Sequence, residues 1–198
     1  MRFLTALATA ATLAFPAFAA TMGDDGLHKE VWMRDTFKDV AEDLAEAEAE
    51  GKRLMILWEQ RGCIYCTKMH EEVFPREDLA QYIEDNFFVV QMNLFGDVEV
   101  TDLDGETLSE KDMAMKWGVM FTPTMMFLPH PEEIEEGETA RDAAQRVAIM
   151  PGAFGYHTTK NLMTFVFDEA YRGDENFQKY HAAKFAEWQA ANPGQTGE

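Results

Sequence analysis

The chain has 198 residues, 46% of them hydrophobic, and a formal net charge of −19. That much apolar material supports one ordinary core, so a single domain is expected over residues 21–198. The carboxylate excess repels nucleic acid and anionic membrane surfaces and removes both as partners, and most of it reads as solvated helix faces.

Arg2 precedes an apolar stretch from Phe3 to Phe15, followed by Pro16 and Ala17-Phe18-Ala19. This pattern is that of a secretory leader with a small-residue cleavage site, so residues 1–20 are expected to be removed and the remainder exported. The stretch is shorter than the roughly 20 residues of a bilayer span, and no later segment qualifies, so no membrane insertion is expected. In a bacterial source, export implies the oxidising periplasm.

Residues 35–50 place Phe37, Val40, Ala41, Leu44 and Ala47 at helical spacing, with Gly51 as the stop. Residues 54–58 (Leu-Met-Ile-Leu-Trp) read as a buried strand, 63–73 as a helix, and Phe74-Pro75 as a break before a helix over 78–86 that turns Leu79, Tyr82 and Ile83 inward. A second strand is predicted over 87–94. Residues 96–108 are acidic and carry Asp104-Gly105, a hairpin-turn signal, so they read as an inserted hairpin; Ser109 with Asp112 three residues on then opens another helix. A third strand follows Pro123 over 124–128, and residues 130–141 read as a loop or weak helix leading to a fourth strand over 146–150 that Gly152 ends. An amphipathic helix is expected over 158–171 with Leu162, Phe165, Val166 and Ala170 inward, and an aromatic-rich C-terminal helix over 176–191 that Phe177, Phe185 and Trp188 pin in place. This order predicts an α/β fold, a central mixed sheet flanked by helices.

Cys63 and Cys66 are the only cysteines, set two residues apart immediately after the buried strand. A strand that delivers the first sulfur to a helix start places it among unpaired backbone N–H groups, which favour thiolate. A purely stabilising disulfide across so short a loop contributes little, because the loop-entropy gain grows with loop length. Metal binding is the rival: Cys63, Cys66 and His70 stand at helical positions i, i+3 and i+7 with Met69 beside them, a set a copper carrier could use, although a structural zinc site needs a fourth ligand. Thr67 stands where haem attachment requires histidine, and no cofactor is expected. Arg61 and Lys68 flank the sulfurs and can lower the Cys63 pKa weakly.

Three features together resemble thioredoxin-fold proteins: the strand-to-Cys63-Ile64-Tyr65-Cys66 junction, the Gly118-Val119-Met120-Phe121-Thr122-Pro123-Thr124 segment, and Gly152 after the last strand. The resemblance covers a core of about residues 52–172. More narrowly, Trp58-Glu59-Gln60-Arg61-Gly62-Cys63, Lys68-Met69-His70 and the insertion before the proline loop are similar to the SoxW-type periplasmic thioredoxins of sulfur-oxidation clusters. It implies a thiol-disulfide oxidoreductase in which Cys63 is the exposed nucleophile and Cys66 the buried resolving thiol. It further implies a cis Thr122-Pro123 bond, a client peptide pairing along Thr122 and Pro123, room for a partner backbone at Gly152, and Tyr65 beside the sulfurs. Expected partners are exported protein disulfides and a membrane thiol-electron donor, with the chain acting as a monomer. The chain reads as a reductant, having neither the large helical insertion of oxidising relatives nor the dimerisation domain of isomerases; oxidase, isomerase and copper carrier are the alternatives.

Two positions depart from the family. Leu57 stands where thioredoxins carry a buried aspartate, and Gly62 where many carry tryptophan. Glu59 is the nearest carboxylate, either a surface residue at the strand end or, if buried, a replacement proton relay.

Overall fold

The computed structural model describes residues 20–195 and Gly197. The predicted leader falls almost wholly outside the described residues. The strands are β1 (Thr21–Met22), β2 (His28–Lys29), β3 (Met33–Arg34), β4 (Arg53–Glu59), β5 (Phe87–Asn93), β6 (Glu99–Thr101), β7 (Thr107–Ser109), β8 (Thr124–Phe127) and β9 (Ala148–Pro151). The helices are α1 (Val40–Ala49), α2 (Ile64–Lys68), α3 (Glu77–Asn86), α4 (Glu110–Lys116), α5 (Ala140–Val147), α6 (Tyr156–Phe167) and α7 (Phe177–Ala191). A π-helical turn, Met69–Val73, continues α2.

Five strands form the central sheet in the order β3-β5-β4-β8-β9. The first three run parallel, β8 runs antiparallel to β4, and β9 runs antiparallel to β8, so the sheet is mixed as expected. Both faces of β4 are covered, which is why its sequence is continuously apolar rather than alternating. The period-two pleat divides its side chains between two cores. Leu54, Ile56 and Trp58 pack with Val40, Leu44, Phe88, Val90 and Trp117 under α1, α4 and α5. Met55 and Leu57 pack with Met69, Phe74, Leu79, Ile83, Phe127 and Leu162 under the redox helix, α3 and α6.

The first helix begins later than predicted. Lys38 takes a left-handed backbone conformation (φ 58°), and Asp39 caps the helix by accepting the Ala41 and Glu42 amides. Phe37 therefore lies outside α1 and is 94% exposed, and Ala41 is exposed as well. At the other end Gly51 (φ 69°) closes a Schellman turn, with Lys52 N–H donating to Ala47 O at 2.8 Å.

A second difference concerns α5, in a stretch that reads as a loop or weak helix leading to a strand. Thr139 caps it through the Asp142 amide, and Ala140, Ala143, Ala144 and Val147 form its buried face. The buried positions do recur at helical spacing on one face, but the helix is only eight residues long and runs straight into β9, so helix and strand merge into one segment in sequence. The fourth strand consequently starts at Ala148. Helix α6 ends at Phe167 rather than Tyr171, and Ala170 is half-buried in a following 3₁₀ turn.

The acidic segment forms the hairpin β6–β7 as predicted. Asp102, fully buried, accepts from Trp117 Nε1 at 2.8 Å and from the Ala140 amide at 2.7 Å, and pairs with Lys116 at 2.8 Å. One carboxylate thus ties the hairpin to both α4 and α5. Helix α7 leans on α6 through Phe177 and Tyr180 against Phe165, and through Trp188 against His157, with its aromatic residues half-buried. Among the described residues no helix is long and apolar enough to cross a membrane.

Candidate active site

At the end of β4 the chain turns through Gly62 (φ 71°), a conformation that explains glycine at this position without any crowding around it. Cys63 then caps α2, its Sγ accepting the Cys66 amide at 3.0 Å. The two cysteines form a disulfide with Cα atoms 5.2 Å apart. Cys63 is 7% exposed and Cys66 1%, so Cys63 is the sulfur nearer the surface but is less open than the expectation of an exposed nucleophile. The loop before β8 is what covers it. Thr122 Oγ1 donates to Cys63 Sγ at 3.3 Å, and the Thr122 carbonyl oxygen lies 3.5 Å from the same sulfur.

The Thr122–Pro123 peptide bond is cis. Pro123 O accepts the Gly152 amide at 2.7 Å, which fastens this loop to the end of β9. Gly152 has φ 107°, and a side chain there would meet only Phe154 at ordinary distance, so the backbone conformation accounts for glycine. Cys63, Cys66, Thr122, Pro123 and Gly152 are thereby linked in one place. Ile64 and Tyr65 beyond Cys63, and Met120 and Phe121 before Thr122, are exposed, giving the sulfur apolar flanks.

Glu59 is only 1% exposed, which overturns its reading as a surface residue. The pleat puts it in the same row as Met55 and Leu57, facing the redox helix. Its Oε1 meets His70 Nε2 at 2.9 Å, and its Oε2 accepts Gln91 Nε2 at 2.5 Å. His70 Nδ1 meets Glu30 Oε1 at 2.8 Å, and its ring stacks on His28 with centroids 4.6 Å apart. Burial alone would push the His70 pKa down, but the hydrogen bonds and charges of Glu30 and Glu59 outweigh it and raise the value to about 9. His70 is therefore an imidazolium donating to two carboxylates. His28 is shifted the other way, by burial and by the charge of His70. Lys29 reaches the cluster through Gln91 Oε1 at 2.6 Å and also pairs with Asp25 at 2.8 Å.

The candidate metal set of Cys63, Cys66 and His70 is not brought together: the sulfurs are bonded to each other and both His70 nitrogens face carboxylates. His28, Glu59 and His70 do place ligand-capable atoms within 4.8 Å of one another. The two imidazole planes lie only 12° apart, however, so stacked rings direct their in-plane lone pairs along parallel lines that do not meet at one ion. Arg61 is held by the Asp25 carbonyl, its Nη2 at 3.0 Å, and Lys68 pairs with Glu72 at 3.8 Å.

Sequence reasoning missed Glu30, His28, Lys29 and Gln91. The residues before β3 show no periodicity; the one available signal was a pair of polar residues, Glu59 at the end of β4 and Gln91 inside β5, in strands that are largely apolar and buried.

A model of the thioredoxin-like domain matches residues 40–147. The chain belongs to this family. Among solved structures, a thioredoxin-fold protein from Helicobacter pylori is similar at 19% identity and TM-score 0.51, covering 69% of this chain and 86% of that one. The C-terminal domain of DsbD from Neisseria meningitidis, in the oxidised form, matches at 12% identity and TM-score 0.42, covering 64% and 90%. A thioredoxin from Thermus thermophilus matches at 18% identity and TM-score 0.38, covering 80% and 95%. No curated protein matches the chain. The likeness to the Helicobacter pylori protein bears on fold alone, and Cys63 and Cys66 lie inside the stretch that the family model matches.

Proposed function

We propose that this thioredoxin-like chain is an exported thiol-disulfide oxidoreductase that reduces protein disulfides. The observation that carries the reading is the Cys63–Cys66 disulfide at a helix start, with Thr122 of the cis-proline loop in contact with Cys63. In the reduced protein, the Cys66 amide and the helix N-terminus favour the Cys63 thiolate. Thiolate attack on a client disulfide forms a Cys63–client bond and releases the first client sulfur as a thiolate, which takes a proton from solvent. The Cys66 sulfur then attacks Cys63 Sγ, closes the Cys63–Cys66 disulfide and breaks the Cys63–client bond, and the second client sulfur leaves as a thiolate that takes up the proton Cys66 gives up. Two electrons pass to the client, and a thiol donor restores the dithiol.

The exposed apolar residues Ile64, Tyr65, Met120 and Phe121 support a polypeptide client, which would pair its backbone along Thr122 and Pro123. The leader-like residues 1–20 support a periplasmic location, where a membrane thiol transporter is the fitting donor and a sulfur-carrier protein of a SoxW-type system a fitting client. We take residues 21–198 as one domain working as a monomer. The test is insulin reduction with dithiothreitol: turnover is expected for the native chain and its loss in Cys63→Ser. Equilibration with glutathione decides the direction, and a strongly oxidising dithiol would replace the reductase reading by an oxidase or isomerase.

A further inference from the structure

The exchange steps above leave unused the charged cluster buried where β4 meets the turn that continues the redox helix. Glu59 closes β4 and His70 lies in the turn after α2, so their 2.9 Å bond brackets the segment that carries both cysteines. Glu30 holds the far side of His70 from the residues following β2. The other charged groups around the imidazole are His28, stacked on it, Glu71 beside it in the chain, Lys29 beyond Gln91, and Asp25 beyond Lys29. Of the groups bonded directly to it, all are buried.

His70 follows Cys66 by four residues, in the π-helical turn that continues α2, so it lies about one helical turn on from the buried cysteine. A buried charge at this range is poorly screened by salt and acts on the ionisation of nearby groups. We propose that His70, clamped between Glu30 and Glu59, is a positioning residue for the dithiol whose charge, set against the two carboxylates, controls how readily the reduced sulfurs ionise. The chemistry is the couple in which the disulfide gains two electrons and two protons, or one proton fewer where Cys63 stays a thiolate. A positive charge held close to the redox helix stabilises the thiolate and with it the reduced form. This inference rests on the oxidoreductase reading, but its test does not require turnover.

The test uses the chain from residue 21 to its end, as the native protein and as His70→Gln, Glu59→Gln and Glu30→Gln. After reduction, Cys63 ionisation is followed by absorbance and alkylation rate against pH, and the disulfide is equilibrated with glutathione. His70→Gln should raise the Cys63 titration by up to about one unit and shift the equilibrium toward disulfide by up to about tenfold. The two Glu→Gln variants should move both quantities the opposite way. A role confined to holding the fold would lower the melting temperature of all three while leaving the titration unmoved or moving it in one common direction, and either result overturns the proposal. Should His70→Gln not fold, Glu30→Gln, whose residue lies outside the sheet and the redox helix, decides alone: an unmoved titration in it is the refuting outcome. Titrations that respond as expected in a protein that never reduces insulin would retire the function and keep this inference.

Discussion

Cys63 and Cys66 differ in exposure by a few per cent, yet their chemistry differs because only Cys63 accepts a helix-capping amide and touches Thr122. Replacing Cys66 by Ala should therefore leave the first attack intact and stop the second. The expected outcome is a client trapped on Cys63, seen as a covalent adduct that dithiothreitol releases. His70 makes a separate statement about stability. Its folded pKa of about 9 is raised above the unfolded value, so its contribution is complete below about pH 6.5 and is lost as pH rises through 9. That contribution is on the order of 3 kcal/mol. Denaturant melts between pH 6 and pH 10 should show the decline, and His70→Gln should flatten the profile while lowering stability at pH 6. His130, raised by Glu48 and Glu169 against the opposing pull of burial, leaves a smaller slope of the same sign in the variant.

Asp102 shows how an element that reads as an insertion becomes part of the frame. Its carboxylate takes bonds from the indole of Trp117, the first amide of α5 and the ammonium of Lys116. Asp102→Ala would strand these buried donors, at a cost of about 2–4 kcal/mol, and should lower the melting temperature with the dithiol still reducible. The hairpin itself was legible from Asp104-Gly105 and the redox helix from its strand and cysteine spacing, because turn chemistry and apolar runs are local signals. Helix α5 was legible only in part, since it is short and runs straight into β9, and the start of α1 was masked because Phe37 continues the helical spacing past a cap that Asp39 supplies. The cysteines and the proline loop could be named from sequence. The Glu30–His70–Glu59 cluster could not, because it joins residues 40 and 11 positions apart and no local pattern announces such a pairing.

Across the whole molecule, the net charge of −19 makes association sensitive to the sign of the client. Reduction of a cationic disulfide peptide should be faster than that of an anionic one, and raising ionic strength from low salt past about 0.15 M should narrow the gap. Equal rates at low salt would show that the field does not reach the sulfur. A practical matter follows from β1, which pairs with β2, where His28 and Lys29 reside, just ahead of Glu30. Purification handles fused at Thr21, or protease nicks around Gly26, would loosen the strand pair that seats the cluster and so alter the measured redox properties of an otherwise native preparation. Handles placed at the opposite terminus, after α7, avoid that artefact.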